Sequence, residues 1–206
     1  MSATKIDFKR ALSELYSPGS EPALVDVPDL AFLMVEGHGD PNTSVEYRAA
    51  VEALYAVSYT AKFAIKRTAG GIDFTVMPLE GLWWVPGTSK FPLEDKSGWH
   101  WTAMIMQPEP VTAAVIELAI QTTKVKKSPA AVELVRFERF REGLAAQVMY
   151  RGPYAQEGPT IARLHAFIAE QGCTPAGKHH EIYLSDPRRT APEKLKTVIR
   201  QPIAVR

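Results

Sequence analysis

Apolar positions along this chain of 206 residues recur with two periods, and the period changes where glycine or proline interrupts it. At the start, Phe8, Leu12, Leu15 and Tyr16 follow helical spacing behind Asp7, a residue able to cap, and Pro18-Gly19 ends the segment. The run Leu30–Val35 within LVDVPDLAFLMVEGHGD predicts a strand that closes in a glycine-rich turn. Thr43 with Glu46 three residues later predicts a capping box, and Tyr47, Val51, Leu54 and Tyr55 line one face of the helix it opens. After Gly70-Gly71, DFTVMPLEGLWWV predicts a strand in which Pro78 argues for an edge or a bulge. HWTAMIMQPEP predicts a further strand, and VTAAVIELAI begins a connecting helix.

The second half has the same order. VRFERF and LAAQVMYRG, separated by Arg141-Glu142-Gly143, predict a hairpin or one sharply bent strand. Pro159 suits the first turn of a helix whose stripe is Ile161, Leu164 and Ile168, with Gly172 at its end. HHEIYLSD and LKTVIRQPIAV predict two closing strands. Each half therefore reads β-α-β-β, and MVEG at 34–37 aligns with MYRG at 149–152. The expected fold is α+β, with tandem pseudo-symmetric β-α-β-β modules in one domain. Residues 1–24 form a helical extension, 25–127 the first module with its connecting helix, and 128–206 the second module.

Charge and composition narrow the function. The formal net charge is +1 and the basic residues are dispersed, so no footprint for nucleic acid is visible. The lone Cys173 leaves no internal disulfide and fits a reducing compartment. The longest stretch free of charged residues, Ser97–Pro108, is short of the ~18 residues of a membrane helix, and the start lacks the apolar core of a signal peptide. A cytoplasmic protein with no membrane or nucleic-acid partner is expected.

Two sets of residues carry candidate chemistry. Trp83, Trp84, Trp99 and Trp101 fall close together and either pack a core or wall a cavity. In HHEIYLSD, Glu181 and Tyr183 share a face, because strand side chains alternate. Glu181 is either a surface charge paired with Arg188, Arg189 or Lys194, or a carboxylate lining an aromatic pocket. In a pocket it attracts an organic cation, or serves as an acid or base. Tyr150 and Tyr154 flank the Arg151-Gly152-Pro153 turn and either reach that space or pack strand ends. His179, His180 and Glu181 are consecutive and so alternate faces, and H-E-x-x-H, a cysteine pair and G-x-S-x-G are all absent. No metal and no cofactor are expected.

KIDFKRALSELYSP, LVDVPDLAFLMVEGHGDPN, PLEGLWW, DKSGWHWTAMIMQPEPVT and HHEIYLSDPRRTAPEKLKTVIRQPI together resemble the GyrI-like small-molecule-binding family, over nearly the whole chain. The resemblance implies two β-α-β-β modules with a ligand cleft between them. It also implies that Glu181 is the acidic residue of an aromatic cleft that takes flat hydrophobic, often cationic, small molecules. Tyr183, Trp84, Trp99, Trp101 and Tyr150 are the accompanying candidates, and alternation from Val76 through Pro78 and Glu80 favours Trp84 over Trp83. Stand-alone members include hydrolases that open the cyclopropane ring of DNA-alkylating natural products, which would make Glu181 and Tyr183 catalytic. A protein-interaction module of the gyrase-inhibitor type is a third expectation, and the tryptophan cluster counts against it.

Overall fold

A computed structural model describes residues 5–88 and 96–205. Two helical turns, α1 (Phe8–Ala11) and α2 (Ser13–Tyr16), replace the single opening helix, because Leu12 leaves helical geometry between them. Asp7 caps α1 by accepting the Lys9 N–H. Strand β1 (Ala23–His38) is followed by α3 (Val45–Arg67), β2 (Leu79–Trp84), β3 (His100–Gln107) and α4 (Ala113–Lys126). Strand β4 (Arg136–Arg151) leads to α5 (Gly158–Glu170), a short β5 (Cys173–Pro175), β6 (His179–Tyr183) and β7 (Lys196–Val205). Ser44, not Thr43, caps α3, its hydroxyl accepting the Tyr47 N–H. The strand expected from residue 73 onward begins only at Leu79, after Pro78.

The strands run in the order β4-β1-β3-β2-β6-β7, and β7 pairs back onto β4. Every pairing is antiparallel, so six strands close into a barrel, with β5 added along β7. Strands of the two halves are thus bonded to each other at β1–β4 and β2–β6. The halves share one sheet rather than facing each other across a gap.

Arg141-Glu142-Gly143 is the bend in a single strand and not a hairpin. Gly143 takes φ +75°, a conformation that costs other residues roughly 1–2 kcal/mol, opposite Val27 and next to Pro28. Beyond this point the inward parity changes in both strands. Val27 and Ala145 are buried on one side of it, and Phe32 and Glu142 on the other.

Closure gives the sheet two buried faces. Inside the barrel lie Phe32, Met34, Leu82, Met104, Ile182 and Val198. A charged network shares that space. His180 on β6 sits between Glu80 of β2 (3.0 Å) and Glu142 of β4 (2.9 Å), and Arg200 of β7 reaches Glu142 at 3.1 Å. Tyr16 closes it by donating to Glu80 at 2.7 Å. On the outer face, α3 packs on β1 and β3, while Ile161, Leu164 and Ile168 of α5 cover Val148, Tyr150 and Ile199. Between these two helices the outer face of β2 and β6 carries the candidate site. No helix of the described residues is long and apolar enough to cross a membrane.

Candidate functional site

Alternation puts His179, Glu181 and Tyr183 on the outer face of β6, opposite Trp83, Gly81 and Leu79 of β2. Gly81 faces Glu181 across the ladder, and its missing side chain leaves room for a neighbour. A Cβ there would lie 2.7 Å from the Trp83 indole nitrogen. The indole folds back over this gap and donates to the Tyr183 hydroxyl at 3.1 Å. Tyr183 in turn donates to Glu181 Oε2 at 2.8 Å. Gly37 of β1 provides a similar platform for Trp101, whose ring occupies the space of the absent Cβ. Gly81→Ala is expected to displace the indole, break the Trp83–Tyr183 bond and destabilise the protein by about 1–3 kcal/mol. Denaturant unfolding and tryptophan emission measure this, with Gly98→Ala, whose Cβ meets open space, as the control.

Aromatic rings complete the walls. The Tyr47 ring, from the first turn of α3, lies 5.6 Å from Trp83 and 5.1 Å, edge-on, from Trp101. Trp99 lies 5.4 Å from Trp83, and its carbonyl accepts the Gly39 N–H. The Lys96 ammonium stands 4.7 Å from the Trp99 ring. Tyr154, in the short turn before α5, meets Tyr183 edge-on at 5.5 Å. All three tryptophans are buried, and so is Glu181 at 5% exposure. Glu181 is therefore no surface charge, and Arg188 and Arg189 pair with Asp186 instead.

A second carboxyl group faces the first. Glu157, the residue before α5, is buried, and its Oε2 has no hydrogen-bond partner. Burial, then the charge of Glu181 and a hydrogen bond to it, push the Glu157 pKa up to about 9, against the pull of Lys96. Glu181 goes the other way. Burial alone would raise its pKa, but hydrogen bonds from His179 and Tyr183, the His179 charge and the charge of Lys96 hold it below the ordinary carboxylate range. His179 Nε2 stands 3.3 Å from Glu181 Oε1. Burial and the Glu181 charge drive Tyr183 far above the usual phenol range and Tyr154 to about 12. At neutral pH one carboxyl is thus ionised and its neighbour keeps its proton.

Of the residues singled out in the sequence, the structure brings together Glu181, Tyr183, Tyr154, Trp99 and Trp101. Trp84 requires a correction. It does share a face with Glu80, as alternation requires, but that face is the barrel interior and its mouth, where Trp84 meets His100 and the Lys178 ammonium. The ladder pairing Trp83↔His179 puts Trp83 beside Glu181 and Tyr183 instead. Tyr150 lies on the outer face but beyond β7, in the core under α5, with its hydroxyl given to the Pro153 carbonyl at 2.8 Å. Glu157, Tyr47, Lys96 and His179 were not anticipated as site residues. For Tyr47 the signal was its place at the start of a capped helix; Glu157, beside Gly158-Pro159, gave none beyond marking a helix start.

This cluster of buried acidic and aromatic residues on a six-stranded barrel has relatives. A family model described as the GyrI-like small molecule binding domain matches residues 20–204. The chain belongs to the GyrI-like family. Among solved structures, an uncharacterized conserved protein from Listeria innocua is 42% identical, with a TM-score of 0.90 over 97% of this chain and 100% of that one. A hydrolase from Listeria innocua is 39% identical, with a TM-score of 0.85 over the same shares of the two chains. The EcmrR C-terminal domain shares the GyrI-like fold alone, at 10% identity and a TM-score of 0.55 over 90% of this chain and 98% of that one. No curated protein matches the chain. As a GyrI-like domain, it is a small-molecule-binding protein.

Proposed function

We propose that the cleft binds a flat aromatic electrophile and adds water to it, opening a cyclopropane ring conjugated to a carbonyl. The observation that carries this reading is a buried pair of neighbouring carboxyl groups, Glu181 and Glu157, among aromatic rings, whose surroundings push their pKa values in opposite directions. A pair whose environment splits its pKa values suits one base and one acid. Two structural neighbours about 40% identical, both described as hydrolases from Listeria innocua, point the same way.

In this reading Glu181 takes a proton from water as the water oxygen bonds to a cyclopropane carbon. The strained C–C bond breaks and its electron pair moves to the conjugated carbonyl, which becomes a phenolate. Glu157 gives its proton to that oxygen, and the proton held by Glu181 passes to Glu157, restoring the pair. The product is the substrate plus one water. Tyr183, fixed by the Trp83 N–H, orients Glu181, and Lys96 stabilises the growing negative charge. The rings hold a flat substrate, with Trp99, just before β3, packed against Trp83 as one of them. The reading extends to the fold, with tandem β-α-β-β modules that place α3 of one half and the α5 turn of the other on opposite sides of the cleft.

Incubation with a cyclopropane-bearing alkylator and mass spectrometry is the test. Wild type is expected to convert it to the species heavier by one water, and Glu181→Gln is not. Saturable quenching of tryptophan emission by a lipophilic aromatic cation, with no gain of water by any alkylator, would leave the protein a binder only. Turnover also has a predicted pH dependence. Because Glu157 works in its protonated form, the rate should fall above about pH 9, by about tenfold per pH unit. The low pKa of Glu181 keeps the rate level on the weakly acidic side. A rate that keeps rising through pH 10 would remove Glu157 as the acid.

A further inference from the structure

At the end of the barrel where α1 and α2 dock there is a cavity of about 740 Å³, separate from the aromatic cleft. One wall is the helical segment, which contributes Lys9 and Arg10. The other is the end of β4 and the start of β7, which contribute Arg151 and Lys196. The family model begins at residue 20, so the first wall lies outside it. Helical turns this short do not hold themselves in water. Here they are clamped, because Arg200 donates to the Leu15 carbonyl at 2.7 Å and Gln147 to the Glu14 carbonyl at 2.6 Å. The Met149 N–H adds a bond to Gly19 at 2.8 Å.

The charge of this cavity is one-sided. Four cationic side chains line it against one carboxylate, Asp7, whose oxygen already accepts the Lys9 N–H as a helix cap. None of the four pairs with a carboxylate of a described residue, although the chain as a whole is nearly neutral and the buried cations Lys62 and Arg200 are both paired. Beneath them Tyr16, Met149 and Leu184 make an apolar floor, with the Tyr16 hydroxyl turned inward to Glu80. The volume lies in the roughly 300–1,000 Å³ range of small-molecule sites. Like charges around one concavity raise the local concentration of an anion.

We infer that this cavity is a binding site for a phosphorylated organic molecule of about nucleotide size. Its phosphates meet Lys9, Arg10, Arg151 and Lys196, and its apolar part rests on the floor. The test is isothermal titration of the full chain with ATP and with adenosine as probes. ATP is expected to bind saturably and at least about tenfold more tightly than adenosine, with affinity falling as salt rises. The double variant Arg151→Gln/Lys196→Gln should bind ATP at least about tenfold more weakly. These residues end strands at the surface and leave the fold intact. Arg67→Gln, which removes an exposed charge at the end of α3, should bind as wild type does. Absence of saturation at millimolar ATP overturns the assignment. So does adenosine binding as well as ATP, or an equal loss in Arg67→Gln.

Discussion

Glu181→Gln is expected to lower turnover by about 10²–10⁴-fold, the usual contribution of a positioned acid or base, while the protein still folds and still binds its ligand. The amide keeps the shape of the side chain and accepts the Tyr183 hydrogen bond, so the cleft stays assembled. What is lost is the negative charge, with two consequences. Water has no group to receive its proton, and Glu157 loses the charge that ranks second, after burial, in raising its pKa. The Glu157 titration should therefore move down in the variant, and the residual rate should fall at a lower pH than in wild type. Rates measured across pH on both proteins check this. An unchanged rate in Glu181→Gln would exclude the carboxylate from the chemistry.

The second large effect is on stability. His180→Leu is expected to cost about 3–5 kcal/mol, because removing one member of a buried ionic group strands its partners. His180 is enclosed by Glu80 and Glu142, and all three are buried inside the barrel. Burial alone would make the imidazole a weaker base, but the charge and hydrogen bond of Glu142 and the hydrogen bond of Glu80 raise its pKa to about 9. The sign of the pH dependence follows. A folded-state pKa above the unfolded one gives stabilisation that is complete below about pH 6.5 and disappears as pH rises through about 9. The gap between wild type and His180→Leu should narrow over that interval. At the acid end, Glu142 would be raised by burial, yet His180 and Arg200 lower it from 4.5 to about 2, so its contribution is complete above about pH 4.5 and is lost as pH falls through about 2. Denaturant unfolding of both proteins at several pH values checks the prediction. Because His180 and Glu181 are neighbours on one strand, the same network fixes the strand that carries Glu181 on its outer face.

These two residues also show how far the sequence could be read. HHEIYLSD announced a strand, and period-two alternation alone put Glu181 with Tyr183 and apart from His180. What a single strand cannot tell is that both of its faces are buried. Only closure of β4 onto β7 makes the His180 face an interior, and closure depends on pairings far apart in sequence. The same gap explains the tryptophans. Alternation correctly grouped Glu80 with Trp84, but which face carries Glu181 was set by the register of β2 against β6. Glu157 was invisible for a related reason. Its proximity to Glu181 comes from the docking of α5, not from any spacing in the chain. Arg141-Glu142-Gly143, by contrast, was legible as a break, a hairpin or a bend, since a glycine between two strand-like runs marks backbone that other residues avoid, and only the pairing with β1 settled it as a bend.

The most direct test of the proposed chemistry is a single turnover with enzyme in excess over a cyclopropane-bearing alkylator in H₂¹⁸O. If Glu181 acts as a base on water, every product molecule should carry one ¹⁸O, and Glu181 should remain unlabelled. Product carrying ¹⁶O, with ¹⁸O appearing in the Glu181 carboxylate, would show that Glu181 attacks the ring itself. Alkylator recovered without added water would contradict hydrolysis in this cleft.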